Sequence, residues 1–162
     1  MAKATAKQSI QVSRLLGLGA APVLTGVEAA SQTFKKGAPL KNSSGKLAIA
    51  AEDDVATLLI GIAEHDAAGV TDTAVKMVPV LPNVVFCAEL SDETDGLVTL
   101  AQTHMWGKYG INVTTDGKWY VDTDETTVGT NVAAVVVGFR DPVGTVNGIV
   151  EFVFKQLTPI WA

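Results

Sequence analysis

The sequence predicts a mainly β fold, a compact β-barrel or sandwich module with one short helix, and three observations predict it. Fifteen Gly and six Pro are spread through a chain rich in Val and Thr, which suits short strands and tight turns. Turn pairs such as Asp116-Gly117 and Asn147-Gly148 punctuate it at short intervals. Between the turns lie about eight or nine apolar segments of strand length, the number a barrel or sandwich uses.

Residues 1–27 lack acidic side chains and clean periodicity, and Gly17, Gly19, Pro22 and Gly26 interrupt them, so they read as an extended basic arm. The body then opens with Phe34–Leu40 and Ser43–Ala50 around an Asn42–Gly45 turn, a predicted hairpin. Leu58–Glu64, Ala74–Val80 and Asn83–Leu90 follow as strands, with Pro79 and Pro82 confining one of them to an edge or a bend. Val55, Leu58, Leu59 and Ile62 also fit a helical spacing after Glu52-Asp53-Asp54, but Gly61 and the turn Asp66–Gly69 favour a strand.

The predicted helix is Leu100–Trp106, where Thr99 and Gln102 have capping-box spacing and Gly107 can end the second turn. Tyr109–Thr114 and Lys118–Val121 flank Asp116-Gly117 as a hairpin. Val132–Phe139 is almost wholly apolar and reads as a strand buried on both faces, whereas Ile149–Phe154 alternates. The chain divides into an arm at 1–27, a β-rich domain at 28–157 and an apolar tail at 158–162, with no internal repeat.

At 162 residues the chain supports one core, with a folded surface of roughly 7,700 Å² by area scaling. Hydrophobic residues make up 48% and charged ones 18%, which excludes a disordered chain and leaves apolar surface over for partners. The net charge of −5 conceals an asymmetry. Residues 1–50 hold seven basic residues against Glu28 alone, a net of +6, and the remainder holds five basic and sixteen acidic residues, a net of −11. With three cations in its first fourteen residues, the leading segment is too thinly charged for nucleic acid or membrane and points to an acidic protein surface. Its uncharged run Leu15–Val27 is broken by Gly and Pro, which argues against a signal peptide, and it is too short to span a bilayer.

Cys87 is the sole cysteine, so no intramolecular disulfide forms, and its apolar setting reads as a small buried hydrophobe. The chain carries no Gly-x-Ser-x-Gly turn, Walker loop, Gly-x-Gly-x-x-Gly or His-Glu-x-x-His. His65-Asp66 lacks the rest of a ligand set, and His104 reads as a partly buried structural residue. Asp122-Thr123-Asp124-Glu125 alternates carboxylates as calcium loops do but lacks the third ligand and the glycine. Asn42-Ser43-Ser44 and Asn112-Val113-Thr114 match a sequon that matters only in secreted eukaryotic proteins. Trp106 and Trp119 fall inside elements and read as core or subunit contacts, while Trp161, on the tail after Pro159, is either disordered or seated between subunits. No catalytic residue, metal site or cofactor is expected.

The runs Phe34-Lys35-Lys36-Gly37, Ser44-Gly45-Lys46-Leu47-Ala48 and Leu59-Ile60-Gly61-Ile62-Ala63-Glu64 resemble tailed-bacteriophage capsid decoration proteins, also called cement or head-stabilising proteins. Gly107–Ile111, Gly117–Asp122 and Val137–Pro142 with Asn147-Gly148 extend the resemblance over residues 34–154. It implies a β-barrel or β-tulip-like module, non-enzymatic and without cofactor. Such a module binds the major capsid protein on the outer surface of an assembled shell, commonly as a homotrimer. A carbohydrate- or receptor-binding virion module is the alternative. The expected partner-binding residues are Lys3, Lys7 and Arg14 for charge and Leu15, Leu16, Leu18 and Trp161 for apolar contact, and an arm packed on its own body is the competing reading. If the arm docks on a partner, removing residues 2–27 leaves a folded body.

Overall fold

The computed structural model describes residues 9–17, 19–51, 54, 59–92, 97–114, 116–126 and 132–155. Among these the chain forms eleven strands: β1 (Gln11–Leu15), β2 (Leu24–Val27), β3 (Pro39–Ser43), β4 (Lys46–Ile49), β5 (Leu59–Ala63), β6 (Ala74–Pro79), β7 (Val84–Ser91), β8 (Lys108–Val113), β9 (Trp119–Asp122), β10 (Ala134–Phe139) and β11 (Ile149–Phe154). The mainly β class follows directly from the turn chemistry. Gly45 donates its N–H to the Asn42 side chain, Ser44 and Gly45 take left-handed backbone, and β3 returns as β4 with Ser43 opposite Lys46. Gly117, at φ 81, does the same between β8 and β9.

One sheet runs β1-β7-β11-β10-β8-β9, and β9 then returns to β7 in parallel, closing β7, β11, β10, β8 and β9 into a five-stranded barrel. The length of β7 makes this possible. One of its edges serves β1 at Val84–Cys87 and β9 at Leu90–Ser91, while the other pairs with β11. The second sheet runs β2-β6-β5-β3-β4. Its two ends are drawn together where Glu28, just past β2, bridges Leu47 of β4 and Ala29 N–H donates to Leu47 C=O. Pro79 ends β6 beyond the reach of β2, whose last partner is Met77, so no neighbour on that side needs the missing N–H.

Alternation sorts the side chains. Phe86, Ala88 and Leu90 of β7, Val150, Phe152 and Phe154 of β11, and Ile111, Trp119 and Val121 of β8 and β9 join one buried cluster with Leu40, Ile62 and Val75 of the second sheet and Phe34 of the β2–β3 segment. Within it Phe154 meets Phe86 and Phe152 edge-on, each at 5.2 Å between ring centroids. Total exposed surface is 7912 Å², the value expected for one compact body of this mass.

Three expectations change. Residues 9–17 and 19–27 do not stand apart as an arm: β1 is a strand of the first sheet, Ile10 lies in the core, β2 is a strand of the second, and the boundary at 27/28 cuts a hydrogen-bonded run, while residues 1–8 of the expected arm lie outside the described residues. The two-turn helix reduces to a 3-10 turn at Gln102–His104, whose N-cap is Ala101, with no side-chain capping bond, while Thr99 lies two residues earlier in a β-bridge with Val146. β10 is buried on one face only, with Val135 and Val137 half-exposed. The tail at 158–162 lies outside the described residues.

Candidate functional site

Chemistry-bearing side chains serve mainly as braces. Both ring nitrogens of His65 meet backbone: Nε2 accepts from Lys76 N–H at 3.0 Å, and Nδ1 lies 3.0 Å from the Asp66 carbonyl. Asp66 in turn accepts from the Lys36 N–H and the Lys35 ammonium, which hold its pKa below the ordinary carboxylate value. Asp122, in the calcium-like run, is fully buried. Its oxygens accept from Asn112 Nδ2 and Asp124 N–H, both at 3.0 Å, and burial pushes its pKa up despite them. Among the described residues no group of three His, Cys, Asp or Glu side chains could hold a metal ion. Asn112 is buried, so its sequon is inaccessible, and Cys87 is buried with Arg140 Nη1 3.4 Å from its sulfur.

The surface is marked instead by exposed apolar side chains. One group runs from the end of β1 through β2 to the β5–β6 loop: Leu16 just past β1, Val23, Leu24 and Val27 at β2, and Val70 in the loop. The other decorates the barrel. There Leu97, Val143 and Val146 sit on a ribbon in which residues 97–100 run beside 143–147, tied by the Thr99–Val146 bridge and by Asn147 N–H to the Val98 carbonyl at 2.7 Å. A β-body this rich in exposed large apolar groups offers contact area for a partner.

Of the residues the sequence nominates, Arg14 and Leu15 are engaged at home. Arg14 pairs with Glu151 at 3.0 Å, and Leu15 is half-buried at the end of β1. Leu16 stands exposed beyond the strand. Lys3, Lys7, Leu18 and Trp161 lie outside the described residues.

The residue missed is Trp106, which is 67% exposed while Trp119 is 1% exposed. Its turn is built with care. Ala101 N–H donates to His104 Nδ1 at 3.0 Å, the His104 ring lies edge-on to Tyr109 at 6.2 Å, and burial lowers the His104 pKa, which preserves the accepting neutral ring. Trp106 N–H donates to the Val136 carbonyl at 2.9 Å, and Val136 N–H returns a bond to the Gly107 carbonyl. Gly107 must lack a side chain, since a Cβ there would sit 2.4 Å from the Tyr109 ring. Trp106 itself is held at φ 64, a left-handed conformation that a bulky residue adopts at a cost of about 1–2 kcal/mol. The available signal was the Trp106-Gly107 pair: with the helix absent, nothing turns the ring inward.

Compared with protein-family models and with curated proteins, the chain matches none.

Proposed function

We propose that the protein is a capsid decoration protein, a non-enzymatic module that binds the outer surface of an assembled phage shell and stabilises it against internal genome pressure. The observation that carries this reading is the distribution of exposed apolar groups. Leu24 and Val27 on β2, with Leu16, Val23 and Val70 in the segments around it, and Leu97, Val143 and Val146 on the ribbon beside the barrel, stand exposed and would serve as two contact areas. A module with two such areas can span a junction between shell subunits. Several modest contacts held on one body act together through high effective concentration. Binding to the assembled shell and not to loose subunits then stabilises the assembled state by mass action. The turn and strand pattern of residues 34–154, with its resemblance to decoration proteins, supports the same reading.

The test mixes purified protein with undecorated shells, images the product and melts the shells with and without it. The expected result is ordered density on the outer surface and a higher shell melting temperature. Shells that stay bare, or a protein that instead captures a glycan in the absence of any shell, overturn the proposal.

A further inference from the structure

One ladder is built twice in this chain. β2–β6 and β7–β11 share a strand order, β2-β6-β5-β3-β4 in the first set and β7-β11-β10-β8-β9 in the second. Each set draws its first strand to its third in parallel, at Glu28 and Leu47 in one and at Leu90 and Val121 in the other. The register matches too. Leu24 faces Met77 and Val27 faces Ala74, as Phe86 faces Phe152 and Glu89 faces Ile149. Pro39 faces Ile62 and Leu40 faces Gly61, as Lys108 faces Val135 and Tyr109 faces Ala134. The fold therefore holds an internal repeat where none was expected from the sequence, because a ladder constrains alternation and register and leaves residue identity free.

The repeat aligns Gly37 with Trp106. Gly37 N–H donates to the Ala63 carbonyl at 2.8 Å and Ala63 N–H to the Ala38 carbonyl at 2.9 Å; Trp106 N–H and Val136 N–H make the same two bonds, to Val136 and Gly107. Both residues are left-handed, at φ 86 and φ 64, so the position calls for glycine and the second copy fills it with the largest side chain. Over the first copy the chain covers this place itself: a Cβ on Gly37 would lie 2.7 Å from the Ile10 carbonyl and the Ser9 hydroxyl. Over the second copy the indole stands exposed. The copies differ at this spot once more. The connection leading to it is 29–36 in the first and the longer 91–105 in the second, which carries exposed Leu97 and the Thr99–Val146 bridge. Backbone strain kept at one of two equivalent places, under a side chain that packs on nothing of its own, marks a functional residue and not a structural one.

We propose that Trp106 is the anchor of the second barrel on the shell, seated in an apolar socket of the shell surface that offers an acceptor to its Nε1–H. This rests on the decoration reading above and names the residue that carries it. Backbone bonds already fix the turn, so docking costs it little freedom, and the turn continues the chain from the exposed ribbon of Leu97, Val143 and Val146. The first copy, with Gly37 in that place, has no counterpart.

The experiment compares wild type, Trp106→Gly and Trp106→Phe by thermal melting of the free protein and by co-sedimentation with undecorated shells. Trp106→Gly is expected to melt at or above the wild-type temperature, since glycine suits the left-handed backbone, and to bind shells about tenfold more weakly. Trp106→Phe, which keeps an aromatic ring without the N–H, is expected between the two in affinity. A Trp106→Gly protein that melts several degrees lower assigns the ring to the fold and overturns the proposal. So does one that binds shells as wild type does, or a Phe variant no tighter than the Gly one, with the decoration reading left intact. A wild type that leaves the shells bare overturns the decoration reading and this inference with it.

Discussion

Arg14 of β1 and Glu151 of β11 meet across β7, the strand that separates them, with the guanidinium Nη2 3.0 Å and Nε 3.1 Å from the same carboxylate oxygen. The Ser13 hydroxyl bonds the other oxygen. Three strands are thereby clamped on their outer face, and the basic character of residues 1–27 is spent at Arg14 on the chain's own body.

Burial alone would raise the Glu151 pKa, but the bonds from Ser13 and Arg14 and the nearby charges of Arg14 and Arg140 bring it below the ordinary value. A lowered carboxylate contributes stability that is present above its unfolded value and lost as pH falls through the folded one. Glu151→Gln is expected to cost about 1 kcal/mol near neutrality, since Arg14 is half-exposed and solvent screens the pair. Denaturant unfolding across a pH series should show the two proteins converging in acid. Parallel curves would show that the charge contributes nothing.

Asp122 has the opposite sign. Its pKa is raised by burial, with Asp124 and Glu125 adding to the effect, so the fold prefers the protonated acid and loses stability as pH rises through the raised value. The residue sits at the closing seam of the barrel, opposite Ser91, whose carbonyl takes both the N–H and the hydroxyl of Thr123. Asp122→Asn removes the titration but gives up one acceptor, a penalty that does not vary with pH. The variant is expected to gain on wild type as pH climbs from the acid range to neutrality. A constant difference between the melting curves over that range would contradict it.

Glu28 is fully buried, and its carboxylate accepts the N–H groups of Ala68 at 2.9 Å and Gly69 at 2.7 Å. One side chain thus fastens the β5–β6 loop to the point where the second sheet draws its ends together. Glu28→Ala leaves two amides without acceptors and is expected to cost about 3 kcal/mol. Glu28→Gln keeps one acceptor and should lose less. Hydrogen exchange at Ala68 and Gly69 should rise in Glu28→Ala before exchange in β7 does. Equal acceleration at both places would mean that Glu28 supports the whole fold and not the loop.

Elements specified by turn chemistry were legible in the sequence, because a left-handed turn at Ser44-Gly45 or Gly117 needs particular residues in fixed places. Ile149–Phe154 was legible because its alternation matches a half-buried strand. What escaped depends on partners remote in sequence. Gln11–Leu15 alternates weakly and becomes a strand only against β7, about seventy residues away. Thr99, which has the spacing of a cap, instead bridges Val146, again a distant partner. Exposure of Trp106 follows from that lost helix, so the candidate contact surface was less legible than the framework that presents it.

Truncation separates the roles of the leading segment. Cutting residues 2–27 removes β1, the buried Ile10 and β2, whose Gly26 packs on the Leu47 side chain. Loss of the buried Ile10 side chain alone costs about 2–5 kcal/mol, a large share of the total stability of a domain this size. The expected product is therefore unfolded, which reverses the expectation for a docking arm. A cut before Ser9 keeps Ile10, the Ser9 hydroxyl bond to the Gly37 carbonyl and every β1 pairing, while removing Lys3 and Lys7. That shorter cut should melt within a few degrees of wild type and bind undecorated shells with a weaker dependence on salt. If removing residues 2–27 leaves a cooperative melt near the wild-type temperature, β1 and β2 are dispensable edges and the two sheets hold without them.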